Sequence, residues 1–373
     1  MKLGKLEWEY LEPILRRHLP LTNLSLDANT LPVDESLMIS TNPALGVPLE
    51  TLGFFAFHYT ASNLACSFAR PLYMVSTVIM PPDSTEDELE AILRELGAEA
   101  RRYGVEVVGG HTGVYKGVSI PVLVTTCIGR RVRKPGKPLP GDSVVVVGEV
   151  ASESLWLAGL TGKVEVPENF WRKLTPLPKA LDLMSVAGVK VMHDVSEGGV
   201  LGALLELSKT LRVRLRMSSR ELPLAEGVEE LGVDVLRAPS YGVLVAVVDA
   251  ESMGVVEKVL RERGYAYSVA GVVERGAVAV EVDGVAYRSV ERTVLDEVYG
   301  EVLSTDPVIS SLELAFREIE RCKPLAKLIP EVGMNMVYAK EGASSIEEVA
   351  GLSGRVVRSL GKPKVCGKVV YGG

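Results

Sequence analysis

Glutamine is absent from all 373 residues, and asparagine occurs only six times. Scarcity of these thermolabile amides beside abundant Val, Glu and Arg is the composition of a protein from a hot environment, and points to an archaeal thermophile. Cysteine is sparse as well: Cys66, Cys127, Cys322 and Cys366 are widely spaced and match no zinc-ligand spacing. Cys66 and Cys127 lie in apolar surroundings, as buried spacers do. No apolar run approaches the length needed to cross a bilayer. The N-terminus also lacks a secretory pattern, because Leu6 to Leu19 reads as an amphipathic helix with charges throughout. Excess positive charge is missing too. A net charge of −7 and a pI near 5.4 exclude nucleic acid as the main partner, since that binding leans on dense Lys and Arg. What remains is a cytoplasmic chain with no membrane or nucleic-acid partner, long enough for two domains and an appendage.

Strand and helix patterns alternate along it. Strands are expected near 36–41, 72–80, 105–109 and 118–128, with helices near 49–67 and 85–103. The first helix is apolar all round, with Phe54, Phe55, Phe57 and Tyr59, which demands burial at an interface. The second is signed by Pro81-Pro82, then Ser84 or Thr85 as cap, then acids in its first turn. A basic run, Arg130, Arg131, Arg133, Lys134 and Lys137, reads as solvated and leads into the clearest linker, Pro135 to Asp142. Beyond it, strands near 143–149, 189–192, 213–217, 242–248, 267–273 and 277–282 alternate with helices near 153–160, after Pro167, and near 198–210, 224–231 and 251–263. That alternation favours a layered α/β domain. The expected division is 1–138, 139–305 and an appendage, 306–373.

Two glycine motifs carry the chemistry. In Met192-His193-Asp194-Val195-Ser196-Glu197-Gly198-Gly199-Val200, a β-branched run passes into a helix start. Helix N-termini bind anions, because the first turn lacks intrahelical acceptors and carries the positive end of the macrodipole. Gly198 and Gly199 allow close approach of a phosphate, and Asp194 and Glu197 can hold a cation beside it. An ordinary helix capped by Ser196 accounts for the same residues equally well. The second motif, Gly109-Gly110-His111-Thr112, ends a strand, and its polar pair is expected in a cleft at the strand's C-terminal end. His193 adjoins the first motif, whereas His58, inside the apolar helix, reads as a satisfied core histidine.

The order Asp27-Ala28, Ser40-Thr41-Asn42-Pro43, Ala61-Ser62-Asn63-Leu64-Ala65, Arg70-Pro71, Gly109-Gly110-His111-Thr112, Gly141-Asp142 and His193-Asp194-Val195-Ser196-Glu197-Gly198-Gly199 resembles the aminoimidazole-ribonucleotide synthase (PurM-like) superfamily. Its members include a hydrogenase maturation protein that dehydrates a carbamoyl thioester and thiamine-monophosphate kinase. The resemblance implies an α+β fold of two domains: an N-terminal mixed sheet that forms a homodimer, and a C-terminal layered α/β domain. It implies ATP and magnesium as ligands, with Asp27, Asp194 and Glu197 as metal ligands. The nucleotide-binding set it implies is Asn42, Asn63, Gly109, Gly110, His111, Thr112, His193, Ser196, Gly198 and Gly199. The family usually has aspartate where this chain has Asn42, Asn63 and His111. Asn keeps an oxygen but loses the charge, and His prefers softer metals, so magnesium binding is expected to be weak or absent.

The tail carries a second resemblance. Ile329-Pro330-Glu331-Val332, Asn335 with Tyr338-Ala339, Glu347-Glu348-Val349-Ala350 and Gly354-Arg355 are similar to the start of an archaeal thiamine-phosphate synthase domain. Only its first part fits before Gly373, so the expectation is a domain that is truncated, degenerate or completed by a separate chain. Together the resemblances imply a small-molecule phosphate substrate and thiamine-monophosphate-kinase-like phosphoryl transfer. A carbamoyl-dehydratase-like ATPase is the alternative within the superfamily. It is disfavoured because those relatives end on their acceptor cysteine, whereas seven residues follow Cys366. A non-catalytic nucleotide or thiamine-phosphate binder is the third reading, and fits the lost carboxylates.

Overall fold

A computed structural model of the chain describes residues 28–31, 34–82, 84–160 and 162–288. Asp27, the N-terminal helical arm, and the tail with Cys322 and Cys366 lie outside the described residues. The first sheet is built from β1 (Asn29–Leu31), β2 (Asp34–Ala44), β3 (Ala69–Met80), β4 (Glu106–Val114) and β5 (Val122–Arg131), in the order β1-β2-β5-β3-β4. β2 and β5 run antiparallel with Ser40 opposite Cys127 and Asn42 opposite Thr125. Period two puts Met38, Ser40 and Ala44 on the buried face of β2 while Glu35 and Thr41 face out. Asn42 shares the inner face.

Against that face packs α1 (Leu49–Cys66), whose Phe54, Phe55 and Phe57 are fully buried. A helix apolar on every side needs cover on every side. The chain supplies it: β2 and β5 on one flank, and α4 (Leu177–Leu183) and β7 (Val189–Asp194) on the other. The aromatic helix is therefore interior to this chain, and no second copy is needed to cover it. Both Cys66 and Cys127 are buried free thiols.

β6 (Ser143–Val147), β8 (Arg214–Met217), β9 (Leu244–Val248), β10 (Tyr267–Glu274), β11 (Ala279–Val282) and β12 (Val285–Tyr287) join β7 in a seven-stranded sheet, ordered β12-β11-β8-β10-β6-β9-β7. Four consecutive valines in β6 and the whole of β9 are buried, the mark of strands covered on both faces. α5 (Gly199–Leu211) packs on this sheet through Val200, Leu201, Leu204 and Leu207, in one core with Leu155 of α3 (Ser152–Leu160), whereas α6 (Met253–Glu262) contacts α4. No described helix is long and apolar enough to cross a membrane.

The chain groups into two compact units, Met1–Val78 with Glu90–His111 and Val122–Asp296, and Ile79–Leu89 with Thr112–Pro121 and Glu297–Gly373. Most of both sheets lies in the first. The described part of the second contains the start of α2 (Glu86–Tyr103), where Thr85 and Glu88 form a reciprocal capping box: Thr85 N–H donates to Glu88 Oε2 at 2.7 Å and Glu88 N–H to Thr85 Oγ1 at 3.3 Å.

Three expectations differ from what is found. The helix expected over 224–231 is only a 3₁₀ turn, Val228–Leu231, because Gly227 and Gly232 take φ of +86° and +62° on either side and end it. The strand expected to stop at Gly109 continues to Val114. Arg133 of the basic run is docked rather than solvated. Its Nε donates to Met184 O at 2.8 Å, its Nη2 to the carbonyls of Val186 and Val189, and its guanidinium lies 3.9 Å over the Phe68 ring.

Candidate functional site

β7 is an edge strand, so its end delivers His193 and Asp194 to the rim of the second sheet, opposite Val245 and Leu244. Val195 N–H still bonds Val243 O; then the chain turns through Ser196, Glu197 and Gly198 into α5. Gly198 is the N-cap and no side chain caps the helix, so Ser196 does not take the capping place the sequence offered it. Gly199 has φ +62°, and a Cβ there would lie 2.6 Å from Leu236 O and Arg237 C. Glycine is thus required at 199 for the chain's own packing. Gly199 N–H donates to Ser196 O at 3.0 Å and Leu201 N–H to Leu236 O at 2.8 Å, so two first-turn donors are already engaged. His193 is buried, with Nε2 2.8 Å from Glu206 Oε2 on α5 and Nδ1 3.7 Å from Asp194 Oδ1.

On the first sheet, Asn42 Nδ2 donates to Tyr59 O at 3.4 Å and Asn63 Nδ2 to Ser40 Oγ at 3.1 Å. Both amides tie β2 to α1 through N–H groups that an aspartate lacks. Tyr59, Ser62, Asn63 and Cys66 fall at helical spacing on one stripe of α1. From that stripe Ser62 Oγ reaches Tyr241 Oη at 3.3 Å, joining α1 to the segment before β9. Burial holds the Tyr241 phenol well above its ordinary value, against the Ser62 hydrogen bond and with a further push from Asp194, Tyr59 and Cys66. The Tyr241 ring meets Tyr59 edge-on at 4.7 Å.

Tyr241 is held in turn by α3. Its N–H donates to Glu153 Oε2 at 2.7 Å, Ala151 N–H donates to Ser240 Oγ at 2.8 Å, and Ser154 Oγ donates to Pro239 O at 2.9 Å. Burial, reinforced by the nearby Glu197 charge, pushes the Glu153 carboxyl up to about 7. Ser62, Tyr241 and Glu153 thus form a hydrogen-bonded connection from α1 to α3, with Asp194 acting electrostatically on Tyr241 and Glu197 on Glu153, while Asn42 and Asn63 bond Tyr59 and Ser40 between α1 and β2. Sequence reading missed that connection: Ser62 lies within the Ala61-Ser62-Asn63-Leu64-Ala65 motif but carries no distinctive signal of its own, whereas Glu153 and Tyr241 sit in no motif, and only the polar break Ser152-Glu153-Ser154 in an apolar helix hints at one of them.

Gly109 to Thr112 lie elsewhere on the first sheet. β4 is three strands from β2, about 14 Å at ~4.8 Å per strand, and residues 109–112 are exposed along its length. The polar pair therefore sits on an exposed edge strand rather than in a cleft at a strand end. A Cβ at Gly110 would lie 2.2 Å from Ser76 O on β3, whereas Gly109 has open space. Among the described residues no group of three or more His, Cys, Asp or Glu is arranged to hold a metal ion. Asp194 and Glu197 offer carboxylates and Asn42 and Asn63 neutral amide oxygens, so the described residues alone do not make a magnesium cage.

Comparison with known proteins completes the picture. The AIR synthase related protein N-terminal domain matches residues 26–131 and its C-terminal domain residues 140–283, while thiamine-phosphate synthase ThiN matches 311–373. A carbamoyl dehydratase HypE from Rhizobium leguminosarum bv. viciae is 28% identical over 223 residues, 56% of this chain and 63% of that protein. The chain thus spans just under two thirds of that relative's length. A thiamine-monophosphate kinase from Pyrococcus abyssi is 24% identical over 236 residues, 60% of this chain and 75% of the kinase. The structure of AaThiL complexed with AMPPCP and TMP shares the fold, with a TM-score of 0.64 at 19% identity over 78% of this chain and 97% of that one. The fold is the mixed α+β arrangement of two sheets expected of the superfamily, and the chain belongs to the AIR synthase-related family of PurM-like proteins.

Proposed function

We propose that the chain binds ATP and a small phosphate ester where Asn42, Asn63 and Tyr241 face Asp194 and Glu197, and that it works in thiamine phosphate metabolism as a kinase on thiamine monophosphate. One observation carries this reading: AIR synthase-related domains and a ThiN match occur in a single chain. Linking two thiamine-pathway modules raises the effective concentration of one module's product near the next. The fold neighbour that holds AMPPCP and TMP supports it. In-line phosphoryl transfer needs little covalent work from the protein, so positioning and charge compensation dominate. Asp194 and Glu197 supply the negative side of that compensation, drawing in whatever cation accompanies the phosphates. Asn42 and Asn63, fixed by their bonds to α1 and β2, present uncharged oxygens, so ATP should raise the melting temperature with little dependence on magnesium.

The test is thiamine diphosphate formation from thiamine monophosphate and ATP at high temperature, with ADP release measured in parallel. Wild type should make both products. Asp194→Asn should lose turnover at least a hundredfold while ligand affinity stays within about tenfold, roughly 1.4 kcal/mol. ADP without thiamine diphosphate would favour a dehydratase-like ATPase, a reading supported by the 28% identity to the HypE relative. Ligand-induced stabilisation with neither product would leave a binding protein.

A further inference from the structure

α1 carries a histidine that the candidate site does not use. His58 is fully buried, one turn before Ser62 and Asn63, and both ring nitrogens are bonded: Nε2 lies 3.0 Å from Glu99 Oε2 on α2, and Nδ1 lies 2.7 Å from Thr175 Oγ1 in the segment leading to α4. Glu99 is only 3% exposed and its carboxyl is held below the usual range, through the His58 hydrogen bond and the Arg102 and Arg172 charges, against the opposing effect of its own burial. It is therefore an acceptor only, which puts the ring hydrogen on Nε2 and leaves Nδ1 to accept the Thr175 hydroxyl. Thr175 Oγ1 in turn accepts Leu177 N–H at 3.2 Å. A hydroxyl, an imidazole and a carboxylate thus form one directed chain across α1, α2 and the start of α4. The order resembles a hydrolytic triad, but Thr175 and His58 are sealed from solvent, so the chain serves as a joint.

Among the described residues, the charged and titratable groups facing the imidazole come from three places. α2 presents Glu99, Arg102 and the Tyr103 ring at 5.6 Å; α4 presents Lys179; Arg172 reaches Glu99 at 3.8 Å from the preceding turn. Phe54, Phe57 and Trp171 supply the rest of the local packing, with Phe54 4.1 Å from the imidazole and 4.9 Å from Trp171. Desolvation, helped by the Arg102 and Lys179 charges, outweighs the attraction of Glu99 and holds His58 below its ordinary value. Protonation would turn Nδ1 from acceptor to donor. Thr175 would then have to accept two N–H groups, and its own hydrogen would be left without its present acceptor at a position only 5% exposed.

We propose that the Thr175–His58–Glu99 chain is an acid-sensitive latch. While His58 is neutral it locks α1, and with it Ser62 and Asn63, against α2 and residues 170–183; protonating His58 reverses the Thr175 bond and releases that lock. The latch does not depend on which ligand occupies the site. The sign follows from linkage: a histidine depressed in the fold gives stability that is complete above the unfolded value and declines as pH falls toward the folded one. Glu99, also depressed, adds loss in the same direction at lower pH.

Two measurements test it on the full chain. In wild type, NMR titration of the histidine ring protons should show His58 titrating below the ordinary value of about 6.5. Native-state hydrogen exchange, corrected for intrinsic rates, should accelerate at least fivefold in 170–183 and the second half of α1 between pH 7 and pH 5. In His58→Gln, whose side-chain amide can donate to Glu99 and accept from Thr175 without titrating, the fall in melting temperature over that range should be at most half of the wild-type fall. His58 titrating at or above 6.5, or exchange unchanged with pH, would overturn the latch even if the variant did not fold. A His58→Gln protein with the full wild-type pH slope would overturn it too.

Discussion

Glu153 shows how one buried side chain turns a structural contact into a pH dependence. Its carboxyl accepts Tyr241 N–H, which favours the anion, yet burial and Glu197 prevail and set it near 7 against an ordinary 4.5. The folded state therefore keeps a proton that the unfolded chain releases from about pH 4.5 upward, so stability falls as pH rises from about 4.5 to about 7 and levels off once the folded carboxyl ionises too. Glu153→Gln keeps an oxygen for Tyr241 and cannot ionise. Its melting temperature should exceed that of wild type by several degrees at pH 8 and match it at pH 5, as scanning calorimetry at the two pH values will show. The glycines divide just as sharply. Gly199→Ala meets both a left-handed φ and two backbone atoms at 2.6 Å, and should cost roughly 1–3 kcal/mol in urea denaturation. Gly109→Ala has open space and a φ outside the left-handed region, so its effect should stay within about 0.5 kcal/mol. Sequence reading treats both glycine pairs alike, because a pattern of residue types does not show which backbone each lies against.

At the scale of elements, most of the fold is legible in local patterns, and the remainder fails for identifiable reasons. α1 declares its burial by being apolar on all sides, and α2 declares its start through Thr85 and Glu88. The run from Val144 to Val147 reads as an inner strand because four valines in a row leave no solvent face. The 224–231 segment misleads because Gly227 and Gly232 bracket only four residues, too few for a helix. Arg133 misleads in another way: a basic run looks solvated until three carbonyls from a loop some fifty residues away, 51 for Met184, are found to converge on one of its members. The candidate site is the least legible part. Ser62 and Tyr241 are 179 residues apart and Glu153 and Tyr241 are 88 apart, separations that no periodicity or motif encodes. Family resemblance placed Asn42, Asn63 and Asp194 in one site, whereas the side chains that connect α1 to α3 emerge only from the packed structure.

For the whole molecule, assembly turns on what meets the first sheet. The resemblance implies a homodimer through that sheet, and the physical grounds for one are the aromatic helix and an exposed edge. α1 does not support it, since β2, β5, α4 and β7 of the same chain cover the helix. The edge does. β4 is the terminal strand of the sheet, and Val107 and Val108 on its two faces are 45% and 52% exposed, with Tyr73 on neighbouring β3 at 43%. An edge strand with an exposed valine on each face combines an open backbone edge with unburied apolar side chains, a combination that proteins ordinarily cover or charge. Closed twofold pairing, the commonest symmetry of soluble oligomers, would cover it. Light scattering at micromolar concentration should therefore give about twice the 40.2 kDa chain mass. Val108→Lys, placed where the side chain is solvated in the single chain, should shift the mass toward monomer without lowering the cooperativity of unfolding. If wild type is monomeric at that concentration, the edge is covered by something other than a second copy and the dimer is wrong; if Val108→Lys remains a dimer of unchanged affinity, the pairing uses a different surface from β4.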